Sequence, residues 1–330
     1  MATKREAYLS LSAMLRAREP RLLNADRVAR MLDAASYEEA AKLLTDCGYP
    51  DLSQSSAEEI EAALTRHRNA IFEELDRLLP DREIVRLFRM KYDTHNAKVL
   101  LKAEAAGSDG SALYSRSGRI APEKLREAVQ EEKSGELPEL FAKALAEAKS
   151  TLARTANPQL SDFVLDRALF AEMLAAAKAV DCPFLTGYVR LLIDSSNLKS
   201  WVRTHRMHRD ASFLWDVLIP GGNVEPERLA SVSDGESIAA LFAHTPLAEA
   251  AARGTEALGG KPMTAFERAC DNAVNAYIRS AKLVSYGPEV PAAYLAAMEG
   301  EVTAVRMILT GRLSGVAPET IRERLRDLYA

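Results

Sequence analysis

Apolar side chains recur at helical spacing from the start of the chain. Leu9, Leu11 and Leu15 predict an amphipathic helix from Tyr8 that ends before Pro20. Asp26 opens a short helix carrying Val28, Met31 and Leu32. Ser36-Tyr37-Glu38-Glu39 reads as a capping box, in which Ser36 takes the amide three residues on and Glu39 reaches back; it starts a helix through Leu44 that Gly48-Tyr49-Pro50 stops. A longer helix follows from about Ala57 to Leu79, and Pro80-Asp81 launches another from about Arg82 to Ala106, with Gly107 placed as a left-handed cap. At 1.5 Å per residue that last helix is roughly 35 Å long. Two similar helices are announced by Asp181-Cys182-Pro183 and by Pro288-Glu289. The best strand candidate is Phe213 to Ile219, before Pro220-Gly221-Gly222.

The pattern also repeats over a longer distance. A helix-start mark (a small residue or Pro, an acid, a polar residue, an aliphatic) occurs at Ala25-Asp26-Arg27-Val28, Pro122-Glu123-Lys124-Leu125, Pro226-Glu227-Arg228-Leu229 and Pro318-Glu319-Thr320-Ile321. The acids are 97, 104 and 92 residues apart. A second mark, Arg89-x3-Asp93-x2-Asn96-x-Lys98, returns 101 residues later as Arg190-x3-Asp194-x2-Asn197-x-Lys199, and more weakly as Glu301-x2-Ala304-x-Arg306. Each acid of this second mark lies 12 or 13 residues after Asp81, Asp181 or Glu289. Two independent marks keeping one order and one spacing predict three helical units, 1–107, 108–210 and 211–330, in an all-α chain whose function lies in its shape more than in one pocket. Gly107–Arg119 and Pro220–Glu225 read as linkers, and Gly254–Pro262 as a further flexible stretch.

Composition narrows the function classes. The 43 basic and 47 acidic residues nearly cancel, so no global field draws in nucleic acid or a lipid headgroup layer. No run approaches 18 apolar residues, and the Met1 end leads directly into the first helix with no signal-peptide apolar region, which predicts a cytoplasmic protein or one peripheral to a membrane. Cys47, Cys182 and Cys270 show no paired spacing for a metal or redox site and read as reduced thiols.

On a helix, Arg89 and Asp93 are four apart and Asp93 and Asn96 three apart, so they share a face. One reading has these groups tying adjacent helices together; the other presents Arg89, Asp93, Asn96, Lys98, Arg190, Asp194, Asn197, Lys199, Glu301 and Arg306 to a partner lodged between units. His205 and His208 could face one metal, but no third ligand stands at a fitting spacing and three arginines surround them. Gly260-Lys261 departs from a phosphate loop, with Thr255 where a Gly is required and Pro262 after the Lys. No catalytic residue, cofactor or metal is assigned.

The closing stretch carries a family resemblance: Tyr286-Gly287-Pro288-Glu289, Ala293-Tyr294-Leu295, Glu301-Val302-x2-Val305-Arg306-x-Ile308-Leu309-x-Gly311-Arg312-x2-Gly315 and Pro318-Glu319. With Tyr8-Leu9-x-Leu11-x3-Leu15-Arg16 and the two Asp-x2-Asn helices, it resembles the C subunit of the bacterial and archaeal V-type ATP synthases, counterpart of the d subunit of the eukaryotic V-ATPase. The resemblance implies a funnel-shaped, all-α, non-catalytic protein with a central cavity, joining the central-stalk subunits of the ATPase head to the membrane rotor ring and transmitting torque for ion transport. Ala304 and Ala297, where the first two copies have Asn and Arg, depart from a symmetric use of the polar line. The alternative is a general helical-repeat scaffold for proteins or peptides, against which stand the period near 100 and the lack of a tetratricopeptide pattern.

Overall fold

Helix caps written into the sequence set most of the architecture. The computed structural model describes residues 4–130 and 134–330; Met1–Thr3, read above as leading into the first helix, lie outside it. All regular elements among the described residues are helical: α1 (Leu9–Arg18), α2 (Ala25–Asp33), α3 (Tyr37–Lys42), α4 (Ala57–Leu78), α5 (Glu83–Ala106), α6 (Pro122–Gln130), α7 (Glu139–Thr155), α8 (Pro158–Val180), α9 (Pro183–Arg206), α10 (Ala211–Val217), α11 (Pro226–Ala230), α12 (Gly235–Phe242), α13 (Ala248–Leu258), α14 (Met263–Arg279), α15 (Glu289–Leu313) and α16 (Pro318–Arg324). Asn24, Ser36, Ser56, Asp210 and Asp234 each accept a bond from a backbone N–H of the first turn they precede. Gly107 and Asp181 turn left-handed, with φ of 61° and 58°, directly after α5 and α8.

Three local readings are corrected. Phe213–Ile219 is not a strand: the Asp210 carboxylate takes the Phe213 N–H at 2.9 Å and starts α10, leaving only Leu218, which is extended, and Ile219 outside the helix. Gly254 lies buried inside α13, and the turn is confined to the Gly259-Gly260 step. At Ser36 the reciprocal bond slips by one residue, because Glu39 accepts from Ala35 N–H; the complete capping box is Ser56 with Glu59.

The chain forms two compact units, Met1–Val85 together with Ser233–Ala330, and Arg86–Val232. In the first, α15 is buried on nearly every side, by α1, α3, α4, α14 and α16, which is why its sequence is apolar all round and lacks a clean stripe. The second is built on α5, α6, α7 and α8, whose Leu101, Leu125, Phe141, Leu145 and Leu165 share one core, and on α9 against α8 and α10.

Candidate functional site

The polar marks of the three long helices are buried anchoring points. In α5, Asp93 is fully buried, and its Oδ1 accepts the Ile120 N–H at 3.0 Å. Arg119 Nε donates to Asp93 Oδ2 at 2.6 Å, and the same guanidinium reaches Glu172 of α8 at 3.1 Å. One turn on, Asn96 brackets Ser115, accepting its N–H at 2.7 Å and donating to its carbonyl at 2.8 Å. Arg89 binds the carbonyls of Ser117 and Gly118, and His95 contacts that of Leu113. The segment between α5 and α6 is thus laced to the helix that precedes it.

The α9 site follows the same plan. Asp194 Oδ1 accepts from the N–H groups of Asn223 and Val224 at 2.9 and 3.1 Å, and Asn223 Nδ2 donates to Oδ2 at 2.8 Å. Asn197 brackets Ile219 at 2.8 and 2.7 Å. In both sites the anchored amide lies two residues before the Pro that opens the next helix, at Pro122 and Pro226. In both, the residue before that amide, Arg119 or Asn223, supplies the side-chain donor. Two residues before the amide stands a glycine, Gly118 or Gly222, where a Cβ would overlap the aspartate Oδ1.

Glu301 of α15 completes the set by a different route. Its Oε2 accepts the Leu23 N–H at 2.6 Å, and Leu23 lies two residues before Ala25, the start of α2. No side chain at Leu22 can donate, and Tyr49 instead donates to Glu301 Oε1 at 2.9 Å, with His67 stacked on the Tyr49 ring at 4.2 Å. The third acid therefore clamps the first helix-start mark, 278 residues back along the chain. The absence of an asparagine at Ala304 has a reason. Counted back from Leu23 as Ser115 is from Ile120, the matching residue is Arg18, the last residue of α1, so its N–H is already within a helix.

Burial pushes the carboxyls of Asp93, Asp194 and Glu301 above their usual range, while the donors named above, and for Asp93 the Arg119 charge, pull them back. Burial, then the Glu301 charge, pushes the Tyr49 phenol strongly up, which keeps it a donor. Burial holds His67 below the usual histidine range.

Of the other predicted site residues, Arg190, one turn before Asp194, draws that carboxyl down by its charge, and the rest lie apart from the clamps. Lys98 pairs with Asp166 at 2.6 Å, Arg306 with Glu61 at 2.5 Å, Lys199 is half-buried, and Arg190 is exposed. His205 stacks on Trp201 at 3.8 Å, and no group of three metal-ligating side chains occurs among the described residues. Lys261 pairs with Glu256. The clamp residues that sequence alone did not single out are Arg119, Asn223, Glu172, Tyr49 and Leu23; the shared register of Gly118-Arg119 and Gly222-Asn223 before a helix-start Pro was the readable signal for two of them.

The chain is similar to the C subunit of the V-type sodium ATPase of Enterococcus hirae, with 26% identity over 98% of this chain and 99% of the relative. It is 24% identical to the C subunit of the A-type ATP synthase of Thermococcus kodakarensis over 96% of this chain and 89% of the relative. Against the C subunit of the V-type ATP synthase of Thermus thermophilus the identity is 27%, over 69% of this chain and 72% of the relative. With the model of the ATP synthase (C/AC39) subunit matching residues 11–324, a span that contains all three clamps and both helix marks, the chain belongs to the ATP synthase (C/AC39) subunit family.

Proposed function

We propose that this chain is the non-catalytic coupling subunit of a rotary V- or A-type ATPase, placed between the central stalk of the soluble head and the membrane rotor ring, where it transmits torque for ion transport. Membership in the C/AC39 family and similarity to the C subunits of a sodium ATPase and of ATP synthases supply the context. The observation that carries the reading is the clamp plan itself: three long helices each hold the start of another helix through a buried carboxylate. A part that passes torque must resist shear, and buried charge-assisted bonds to backbone, made inside a close-packed core, do so without moving parts. No described helix is long and apolar enough to cross a membrane, and the proposed position is peripheral, on the cytoplasmic side.

The three-unit division, 1–107, 108–210 and 211–330, belongs to the same proposal, supported by the recurrence of the clamp at Asp93, Asp194 and Glu301. Within the candidate interface set, Arg190 is exposed and is the member proposed to meet a partner, whereas Lys98 and Arg306 pair inside the chain. Reconstitution tests the assignment. Membranes carrying the ATPase but stripped of this chain should leave a detached head that still hydrolyses ATP, and adding the chain back should restore ion pumping linked to hydrolysis. Full pumping without the chain would refute the assignment.

A further inference from the structure

At the end of α9, exposed apolar side chains stand among cations. His208 turns left-handed directly after Met207, with φ of 52°, and the Arg209 N–H returns to the Thr204 carbonyl at 3.0 Å, so the chain doubles back. α10 then starts at once, because the Asp210 carboxylate accepts both the Phe213 N–H and the Ser212 hydroxyl. Three contacts pin this short helix. Leu214 is buried, Phe213 lies edge-on to Phe163 of α8 at 5.8 Å, and Arg167 of α8 donates to the Asp216 carbonyl at 2.5 Å. The pinning leaves outside Trp215, which is 47% exposed, and Met207 at the turn, which is 57% exposed. Arg203, Arg206 and Arg209 are exposed beside them in sequence, and the Arg209 guanidinium lies over the Phe213 ring at 5.4 Å.

Charge and chemistry together select the occupant. Residues 199–217 hold Lys199, Arg203, Arg206 and Arg209 against Asp210 and Asp216, and Arg167 adds a cation from α8. The chain as a whole is near neutral, so this excess is local and acts over the roughly 8 Å that physiological salt leaves unscreened. Anionic headgroups are its complement, and the indole of an exposed Trp is a side chain that settles at headgroup depth. A protein partner, a second copy of this chain included, needs a fitted contact of about 20–30 residues a side. Arg167, Arg203, Arg206, Met207, Arg209 and Trp215 fall well short of that. A bilayer asks for no fitted counterpart, since each cation and each inserted apolar group contributes on its own.

We propose that this patch docks on an anionic lipid surface, with Trp215 and Met207 entering the headgroup layer and the four arginines facing lipid phosphates. Lipid binding is measured on the full chain alone, so its failure leaves the rotary-subunit assignment standing. The probe is vesicles of phosphatidylglycerol mixed with phosphatidylcholine, against vesicles of phosphatidylcholine only. The chain should sediment with the anionic vesicles and not with the neutral ones, and should lose about tenfold or more in affinity between about 0.05 and about 0.5 M salt. Of the two tryptophans, Trp201 is fully buried, so a blue shift of emission on binding reports Trp215. Trp215→Ser should abolish the shift and weaken binding about tenfold, and Arg206→Ala with Arg209→Ala should weaken it about thirtyfold through the loss of two charges. The salt and fluorescence readings need no variant, so they decide the matter even where a substitution unfolds the chain. No binding to anionic vesicles, or binding that neither substitution changes, overturns the docking site. A blue shift given by poly-glutamate and not by vesicles assigns the patch to an acidic protein and overturns it as well.

Discussion

Asp93 and Asp194 achieve with a local loop what Glu301 achieves with groups from the other end of the chain. The aspartates take amides 27 to 30 residues downstream, in loops that supply their own side-chain donor and a glycine to let the backbone approach. Glu301 takes an amide 278 residues upstream and a phenol 252 residues upstream, and the Leu23 amide it reaches follows a 3₁₀ turn, Glu19–Arg21, that carries no glycine. Shared geometry therefore does not require shared partners. What the three have in common is a buried carboxylate aimed at the amide two residues ahead of a helix, and the remaining donors are whatever the local chain provides.

The largest expected effect breaks the first clamp. Asp93→Ala strands the largely buried Arg119, 15% exposed at its side chain, with Glu172 alone, and denaturant unfolding should show a loss of about 3 kcal/mol or more. Asp194→Ala removes bonds from uncharged donors and strands no buried countercharge, the nearby Arg190 being exposed, so its loss should be smaller, about 2–3 kcal/mol. Equal losses would mean that the Arg119 pair adds nothing to the clamp.

Next come the glycines. Gly118→Ala and Gly222→Ala push a methyl group into an aspartate oxygen and should each cost about 2 kcal/mol, whereas Arg21→Ala, at the matching and exposed position of the third site, should stay within about 0.5 kcal/mol. Thermal melts of the three variants measured together decide whether the loops are under the same constraint.

Ala304→Asn restores the missing residue of the repeat, yet it should destabilise by about 1–2 kcal/mol, because the site is buried and its natural target, the Arg18 N–H, already lies in a helix. A stabilised variant would show that the third site can accept the bracket used by Asn96 and Asn197.

The smallest effect is one of pH. His67, beside the Tyr49–Glu301 bond, titrates below its usual value, so the unfolded chain binds its proton more readily than the folded one. Its contribution is present above about pH 6.5 and is lost as the pH falls through the lowered folded value. The unfolding temperature should therefore drop on acidification below pH 6.5 by more in the wild type than in His67→Gln.

Much of this was legible in the sequence. Caps and prolines marked α4, α5, α9 and α15 closely, and the three acids declared themselves by spacing. What they bind did not, because a carboxylate on a helix looks the same whether it faces solvent, a partner or a backbone amide. The pairing of Glu301 with Leu23 and Tyr49 joins residues whose separation exceeds any local pattern. Phe213–Ile219 misled because a single aspartate, Asp210, outweighed the β propensity of the residues after it.

The long return from Glu301 to Leu23 also bears on how the protein is made. Arg86–Val232 is continuous, so a ribosome completes that unit while the first 85 residues still lack the segment from Ser233 onward that buries them. At about 5–20 residues per second, Leu15, Met31, Phe72 and their neighbours wait for on the order of ten seconds or more before α15 emerges to cover them. Nascent chains of this protein should therefore depend on a holding chaperone through most of their synthesis, and a truncation before α15 should aggregate through its N-terminal third even though its middle is folded.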